Sequence, residues 1–289
     1  MKRALFALVL LFIVLNACGQ GSSSKKDNTV SKPENQHVTS QFDTDGKTID
    51  TRFVIPQGFR RITADSASFA YYLRNLPLKP SGAPVTYFDG RTKPNRNIYD
   101  AVVDLPIGKR DLHQCADAVI RLRAEYFFEE EKYDSIHFNF TNGFNADYPN
   151  WQKGKRIVVD GNKVFWKQSS QASDSYKSFW KYLEMVFSYA GTASLEKELK
   201  PTDLEEMKIG NVFIKGGFPG HAVIVVDMAV QESTGEKVFL LAQSYMPAQE
   251  IQILKNPINP NLSPWYSVDF GNTLKTPEWT FKKSHLKRF

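Results

Sequence analysis

His221-Ala222-Val223-Ile224-Val225-Val226-Asp227-Met228-Ala229-Val230 is an apolar run with a single charge in it. After Gln231 to Gly235, a second run follows, Glu236-Lys237-Val238-Phe239-Leu240-Leu241-Ala242-Gln243-Ser244-Tyr245. The valine-rich composition marks the first run as a buried strand, and the short glycine-containing connection turns the chain back along it, so the two pair antiparallel. Pairing Val230 with Glu236 sets Tyr245 opposite His221 and places Gln243 on the diagonal of the same face, about 7 Å away. A register shifted by two residues would set Gln243 directly opposite. Upstream, Asn211 to Ile214 reads as another strand, joined to His221 by Lys215-Gly216-Gly217-Phe218-Pro219-Gly220.

The first half of the chain has helical spacing instead. In Asp111 to Glu131, Leu112, Cys115, Ala116, Val119, Leu122 and Tyr126 recur at three- and four-residue steps, which predicts an amphipathic helix. Ser66 to Asn75 and Asp174 to Tyr189 predict further helices, and Thr202 with Glu205 offers a capping box for a short one. Val85 to Phe88 and Tyr99 to Leu105 read as strands. Lys155 to Val159 and Lys163 to Trp166 flank Asp160-Gly161-Asn162, a hairpin signal. Helices first and adjacent antiparallel strands later predict an α+β fold.

The amino terminus carries an export signal. Lys2-Arg3, the apolar stretch Ala4 to Leu15 and Leu15-Asn16-Ala17-Cys18 form a basic start, a short hydrophobic core and a small-residue cleavage site. The stretch is shorter than the ~20 apolar residues of a membrane span. Residues 1–17 are therefore expected to be a leader. Residues 18–50, rich in Ser, Lys, Asn and Asp, are expected to be a tether that cannot bury enough apolar surface to order itself. Residues 51–289 read as one domain, since no linker-like break divides them. Formal charge is +6 from 37 Lys and Arg against 31 Asp and Glu, and loss of Lys2 and Arg3 lowers it to +4. So small and scattered an excess, with an exported address, argues against a nucleic-acid partner. The one basic cluster, Lys282 to Arg288, is expected to be a solvated tail. Phe138 to Trp151 interleaves aromatics with Asn and Gly, which fits a sugar-stacking surface or ordinary packing. The histidines are widely spaced, and His113 and Cys115, two apart on a helix, face different ways, so neither metal nor cofactor is expected.

Cys115 is the second of two cysteines. With Asp111 as N-cap and Gln114 completing a capping-box variant, it lies in the first turn of its helix, where thiolates are stabilised. A free cysteine on an apolar stripe is equally a small buried hydrophobe. His221 opens a strand after a glycine-rich loop, as an accessible base or a satisfied structural histidine would, and Gln243 is placed either to orient its ring or to serve backbone groups. Asp227 is not, because six residues of strand at about 3.3 Å each hold it roughly 20 Å away.

Leu15-Asn16-Ala17-Cys18 resembles a bacterial lipobox, which implies cleavage before Cys18 and acylation of that residue. The helix headed by Cys115, Gly210-Asn211-Val212-Phe213 and Gly220-His221-Ala222-Val223-Ile224 together resemble the NlpC-type and CHAP amidases of the papain fold. That resemblance implies a papain-like core, the nucleophile helix packed on an antiparallel sheet with a long helical and aromatic insertion, and Cys115, His221 and Gln243 as catalytic residues. Asn211 stands where those families carry Asp, and their Asp-Cys-Ser-Gly motif is missing. Gln114 to Tyr126, Pro219 to Asp227 and Leu240 to Gln249 resemble a Bacteroidetes lipoprotein family known as domain of unknown function 4846. Two functions follow as expectations: a lipid-anchored, periplasm-facing cysteine hydrolase acting on peptide or amide bonds of the cell wall or envelope, or a non-catalytic binding or scaffold lipoprotein on the same core. The sequence leaves the oligomeric state open.

Overall fold

The computed structural model describes residues 41–289, so the leader, Cys18 and most of the expected tether lie outside the described residues. The described residues form one compact unit. Packing begins earlier than Thr51: Phe42 bridges Phe53, Leu78 N–H donates to Lys47 O, and Ile49 is fully buried in the short helix α1 (Ile49–Arg52).

The chain continues through β1 (Phe59–Arg61), α2 (Phe69–Arg74), β2 (Tyr99–Val102) and α3 (Cys115–Glu129). Two hairpins follow, β3 (His137–Asn139) with β4 (Asn145–Asp147) and, after α4 (Tyr148–Gln152), β5 (Lys155–Asp160) with β6 (Lys163–Gln168). Helices α5 (Tyr176–Tyr189) and α6 (Thr192–Glu198) come next. The remainder is almost all strand: β7 (Lys200–Pro201), β8 (Val212–Lys215), β9 (His221–Gln231), β10 (Lys237–Gln243), β11 (Gln252–Leu254), β12 (Tyr266–Ser267), β13 (Thr273–Lys275), β14 (Thr280–Lys282) and β15 (Leu286–Arg288).

The main sheet has nine strands in the order β2-β11-β10-β9-β8-β15-β7, with β1 adding to β9 and β12 to β10; every pairing in it is antiparallel. The apolar run of β9 is explained by burial on both faces. Ala222, Ile224 and Val226 enter the larger core with α3 and α5 residues such as Val119 and Phe179, while Val223, Val225 and Met228 enter a second core with Leu274 and Phe281. The alternation changes phase at Asp227, because a bulge separates the pairs Leu240↔Asp227 and Leu241↔Val225. This fold is mixed α+β with a large antiparallel sheet.

Three local expectations are corrected. Thr202 and Glu205 head no helix: Pro201 pairs with Lys287 and Thr202 N–H donates to Leu286 O, so sheet pairing overrides the capping signal, and the helix is α6 instead. Val85 to Phe88 forms only isolated bridges, Thr86↔Thr92 and Tyr87↔Gln249. The basic cluster Lys282 to Arg288 is not a free tail, because β15 sits between β8 and β7 with Leu286 buried. The aromatic stretch is core: Phe138, Phe140, Tyr148 and Trp151 are buried, and Tyr148 packs on Phe179 and Tyr182.

Candidate functional site

Cys115 is the first residue of α3, with Gln114 rather than Asp111 as N-cap. Gln114 N–H donates to Asp117 Oδ2 at 2.9 Å, so a carboxyl group in the first turn satisfies the donor just before the thiol. Asp111 holds the approach instead: its Oδ1 accepts from Gln114 Nε2 at 3.0 Å and from Ala248 N–H at 2.7 Å. Ser244 Oγ donates to His113 O at 2.9 Å. These bonds stitch the tip of α3 to the segment that follows β10, which brings Cys115 to the end of the strand carrying Gln243.

His221 opens β9 and pairs across to Lys215. The loop between them is pressed on α6: a Cβ at Gly216 would meet the Glu196 side chain, and one at Gly220 would meet Thr192 Oγ1 and the Gly217 carbonyl. At Gly220 two backbone carbonyls of the loop approach too closely for any side chain, while at Gly216 the Glu196 side chain would have to move.

Past the bulge, β10 runs with Ala242 opposite Ile224. At the turn Val230 pairs with Lys237 rather than with Glu236 as expected, but beyond the bulge the register, continued by the strand period, sets Tyr245 opposite His221 and Gln243 on the diagonal. The imidazole and the amide meet: His221 Nε2 lies 2.8 Å from Gln243 Oε1, and His221 Nδ1 is buried with no hydrogen-bond partner. The thiol therefore makes no hydrogen bond to Nδ1. Gln243 Nε2 donates to Glu278 Oε2 at 2.6 Å, and Lys93 Nζ donates to the same oxygen at 2.8 Å. The imidazole, expected to be accessible after a glycine-rich loop, is instead fully buried under aromatic rings: Tyr245 at 4.8 Å, Trp279 at 5.5 Å and Phe281 at 6.0 Å between centroids. Cys115 shares this surrounding, since Glu278 and Lys93 both act on its charge and it acts on Tyr245.

The electrostatics differ from the sequence expectation. A helix N-terminus predicts an acidified thiol, but Cys115 is only 5 % exposed, and burial pushes its pKa up to about 12. Asp117 and Glu278 add to the rise, against the thiol's own backbone N–H and Lys93. His221 is lowered to about 4, chiefly by burial, opposed by its bond to Gln243 and helped by Lys93. Burial also pushes Asp117 up to about 8. At neutral pH the thiol and imidazole are thus both uncharged.

Asp227 stays out of the site. Its carboxylate is fully buried and holds Arg74 Nε and Arg61 Nε, each at 2.7 Å. Asn211 serves a turn, accepting from Lys208 N–H at 2.8 Å. Lys93, Glu278 and Trp279 escaped the sequence reading. They lie in segments without periodicity, and only the tertiary fold carries them to His221. Among the described residues no His, Cys, Asp and Glu cluster has the makings of a metal site, and no helix is long and apolar enough to cross a membrane.

Comparison with curated proteins and with solved structures finds no match. The model of one family, described as domain of unknown function (4846), matches residues 49–288, from the first packed helix to the last strand of the sheet. The chain belongs to that family.

Proposed function

We propose that the protein is a papain-like cysteine hydrolase that cleaves amide bonds of cell-wall or envelope peptides, held to an envelope membrane, facing the periplasm, by a lipid on Cys18. The observation that carries the reading is the hold of Gln243 on His221. An amide oxygen on Nε2 leaves Nδ1 as a lone-pair nitrogen without a partner, which is the state of a general base. Cys115, at the tip of α3 under the same Glu278 and Lys93, is the nucleophile. Its Sγ attacks the substrate carbonyl while its proton passes to Nδ1. The C–N bond breaks as Nδ1 returns that proton to the leaving amine. Water then attacks the thioester and gives a proton to Nδ1, which hands it to the departing sulfur, so acid and free thiol are regenerated.

A peptidyl electrophile that mimics the acyl donor, such as a peptidyl vinyl sulfone, should label Cys115 in the folded protein, and His221→Ala should abolish the labelling while the domain stays folded. Label that ignores the histidine would remove the hydrolase reading. Metabolic labelling with palmitate, lost on Cys18→Ala, tests the anchor. One observation favours the second reading, a non-catalytic binding or scaffold protein on the same core: Tyr245 and Trp279 pack over the imidazole, and the thiol is closed off. Under that reading no acyl electrophile reacts until the chain is unfolded.

A further inference from the structure

The polar chain behind His221 runs further than a base and its partner need. Glu278 Oε2 receives two donors, Gln243 Nε2 at 2.6 Å and Lys93 Nζ at 2.8 Å, and the Lys93 side chain is 5 % exposed. Hydrogen-bond chemistry then leaves little freedom. A carboxylate paired with an ammonium only accepts, so the group that Gln243 turns toward Glu278 must be its NH₂ end. The opposite end, Oε1, faces His221, and an amide oxygen only accepts as well. The imidazole nitrogen facing it must carry the proton, which leaves Nδ1 bare.

We infer that Glu278, two bonds removed from the imidazole, is the positioning residue that selects the Nε2–H tautomer of His221 by fixing which way the Gln243 amide points. Without it the amide is free to turn its NH₂ toward Nε2, which would move the proton to Nδ1 and take away the lone pair that makes it a base. Lys93 holds the carboxylate but does not choose the amide's direction. The catalytic consequence rests on the hydrolase reading; the tautomer does not.

The test is a long-range proton–nitrogen correlation spectrum of full-length protein labelled with ¹⁵N-histidine, at pH 7, with His221 assigned by its loss in His221→Ala. The wild type should show a single neutral tautomer with the proton on Nε2. Glu278→Ala should lose that single signature and show the Nδ1–H form. Glu278→Gln should keep it, because an amide oxygen at the same position accepts from both Lys93 and Gln243. Lys93→Met should keep it too, since Glu278 still faces Gln243. An Nδ1–H tautomer in the wild type, or an unchanged Nε2–H tautomer in a folded Glu278→Ala, overturns the inference. Should the alanine variant fail to fold, Gln243→Leu takes its place: loss of the single signature there, with its retention in Glu278→Gln, supports the relay, and an unchanged signature refutes it. Where the wild type turns over a peptide amide, Glu278→Ala should lower kcat on the order of 10²-fold or more with KM nearly unchanged, and Glu278→Gln should restore most of it. Absence of any turnover would count against the hydrolase reading alone.

Discussion

Three buried groups near or beside the candidate site titrate in opposite senses, and together they set how the fold responds to pH. His113 is lowered to about 3 and His221 to about 4, mainly by burial, against about 6.5 in an unfolded chain. The unfolded chain therefore binds protons there that the folded one does not, so their contribution is present above about 6.5 and is lost as pH falls toward 4. Asp117 works the other way: raised to about 8 by burial against about 3.9 unfolded, its contribution is full below about 4 and fades as pH rises toward 8. Between about 4 and 6.5 the two histidines outweigh the one carboxyl, and above that, of these three groups, Asp117 is the one that still acts. Stability should peak near pH 6.5, and Asp117→Asn should flatten the decline from there to pH 8, read as urea midpoints. A decline unchanged in the variant would mean that Asp117 is ionised in the fold. The thiol offers a second test at the same scale. With Cys115 pushed up to about 12 against about 8.5 unfolded, iodoacetamide at pH 7 should alkylate folded protein roughly three-thousandfold more slowly than urea-unfolded protein, from thiolate fraction alone.

Among the elements, the β9–β10 pair decides whether a site exists. The bulge at Leu240/Leu241 shifts the register by one residue, and only beyond it do His221 and Gln243 point to the same side. That side is the second core with Trp279 and Phe281, opposite the face that packs on α3. Cys115 reaches the same neighbourhood because the tip of α3 extends to the strand ends, where Ser244 and Ala248 hold it. The turn that delivers His221 is as constrained as the strands. A methyl group at Gly220 would collide with Thr192 Oγ1 and with two backbone carbonyls of its own loop, none of them free to move far. Gly220→Ala should therefore destabilise the domain by about 1–3 kcal/mol and displace His221 from Gln243. Denaturant unfolding checks the first, and the Nε2–H signal of His221 the second.

At the scale of the molecule, one buried charge reinforces the backbone pairing of β1 with β9 and ties the amino-terminal segments to the sheet. Asp227 at the bulge takes Arg61 from β1 and Arg74 from α2, and Arg61 also reaches Asp50 of α1 at 3.2 Å. Removing the carboxylate leaves two guanidinium groups facing each other in a mostly closed site, so Asp227→Ala should cost about 3–5 kcal/mol, measured by urea unfolding. The domain's beginning can be tested in the same way. A chain starting at Thr51 lacks buried Ile49, the Thr48 cap and the Gly46 carbonyl that accepts from Arg52 Nε at 2.7 Å. It should be less stable than a chain starting at Gln41 by about 2–4 kcal/mol, most of it the loss of Ile49 from the core. Equal stability would place the folding boundary at Thr51 after all.

Much of this was legible in the residues themselves, where the controlling interactions are local. Helical spacing located α3 and α5, the Asp160-Gly161-Asn162 turn located its hairpin, and the valine-rich run located β9, because each pattern records which side chains must leave water. The alternation of faces put His221 and Gln243 together, although the turn pairs Val230 with Lys237 rather than Glu236 and only the bulge restores the expected register. What the sequence could not decide depended on distant segments meeting. Glu278 and Lys93 are 185 residues apart and share no pattern, yet they meet over Gln243 and determine how the imidazole is protonated. The thiol's state was likewise decided by the tertiary structure: its place at a helix terminus is written in the sequence and favours the thiolate, but the packing closed over it, and desolvation outweighs the helix end.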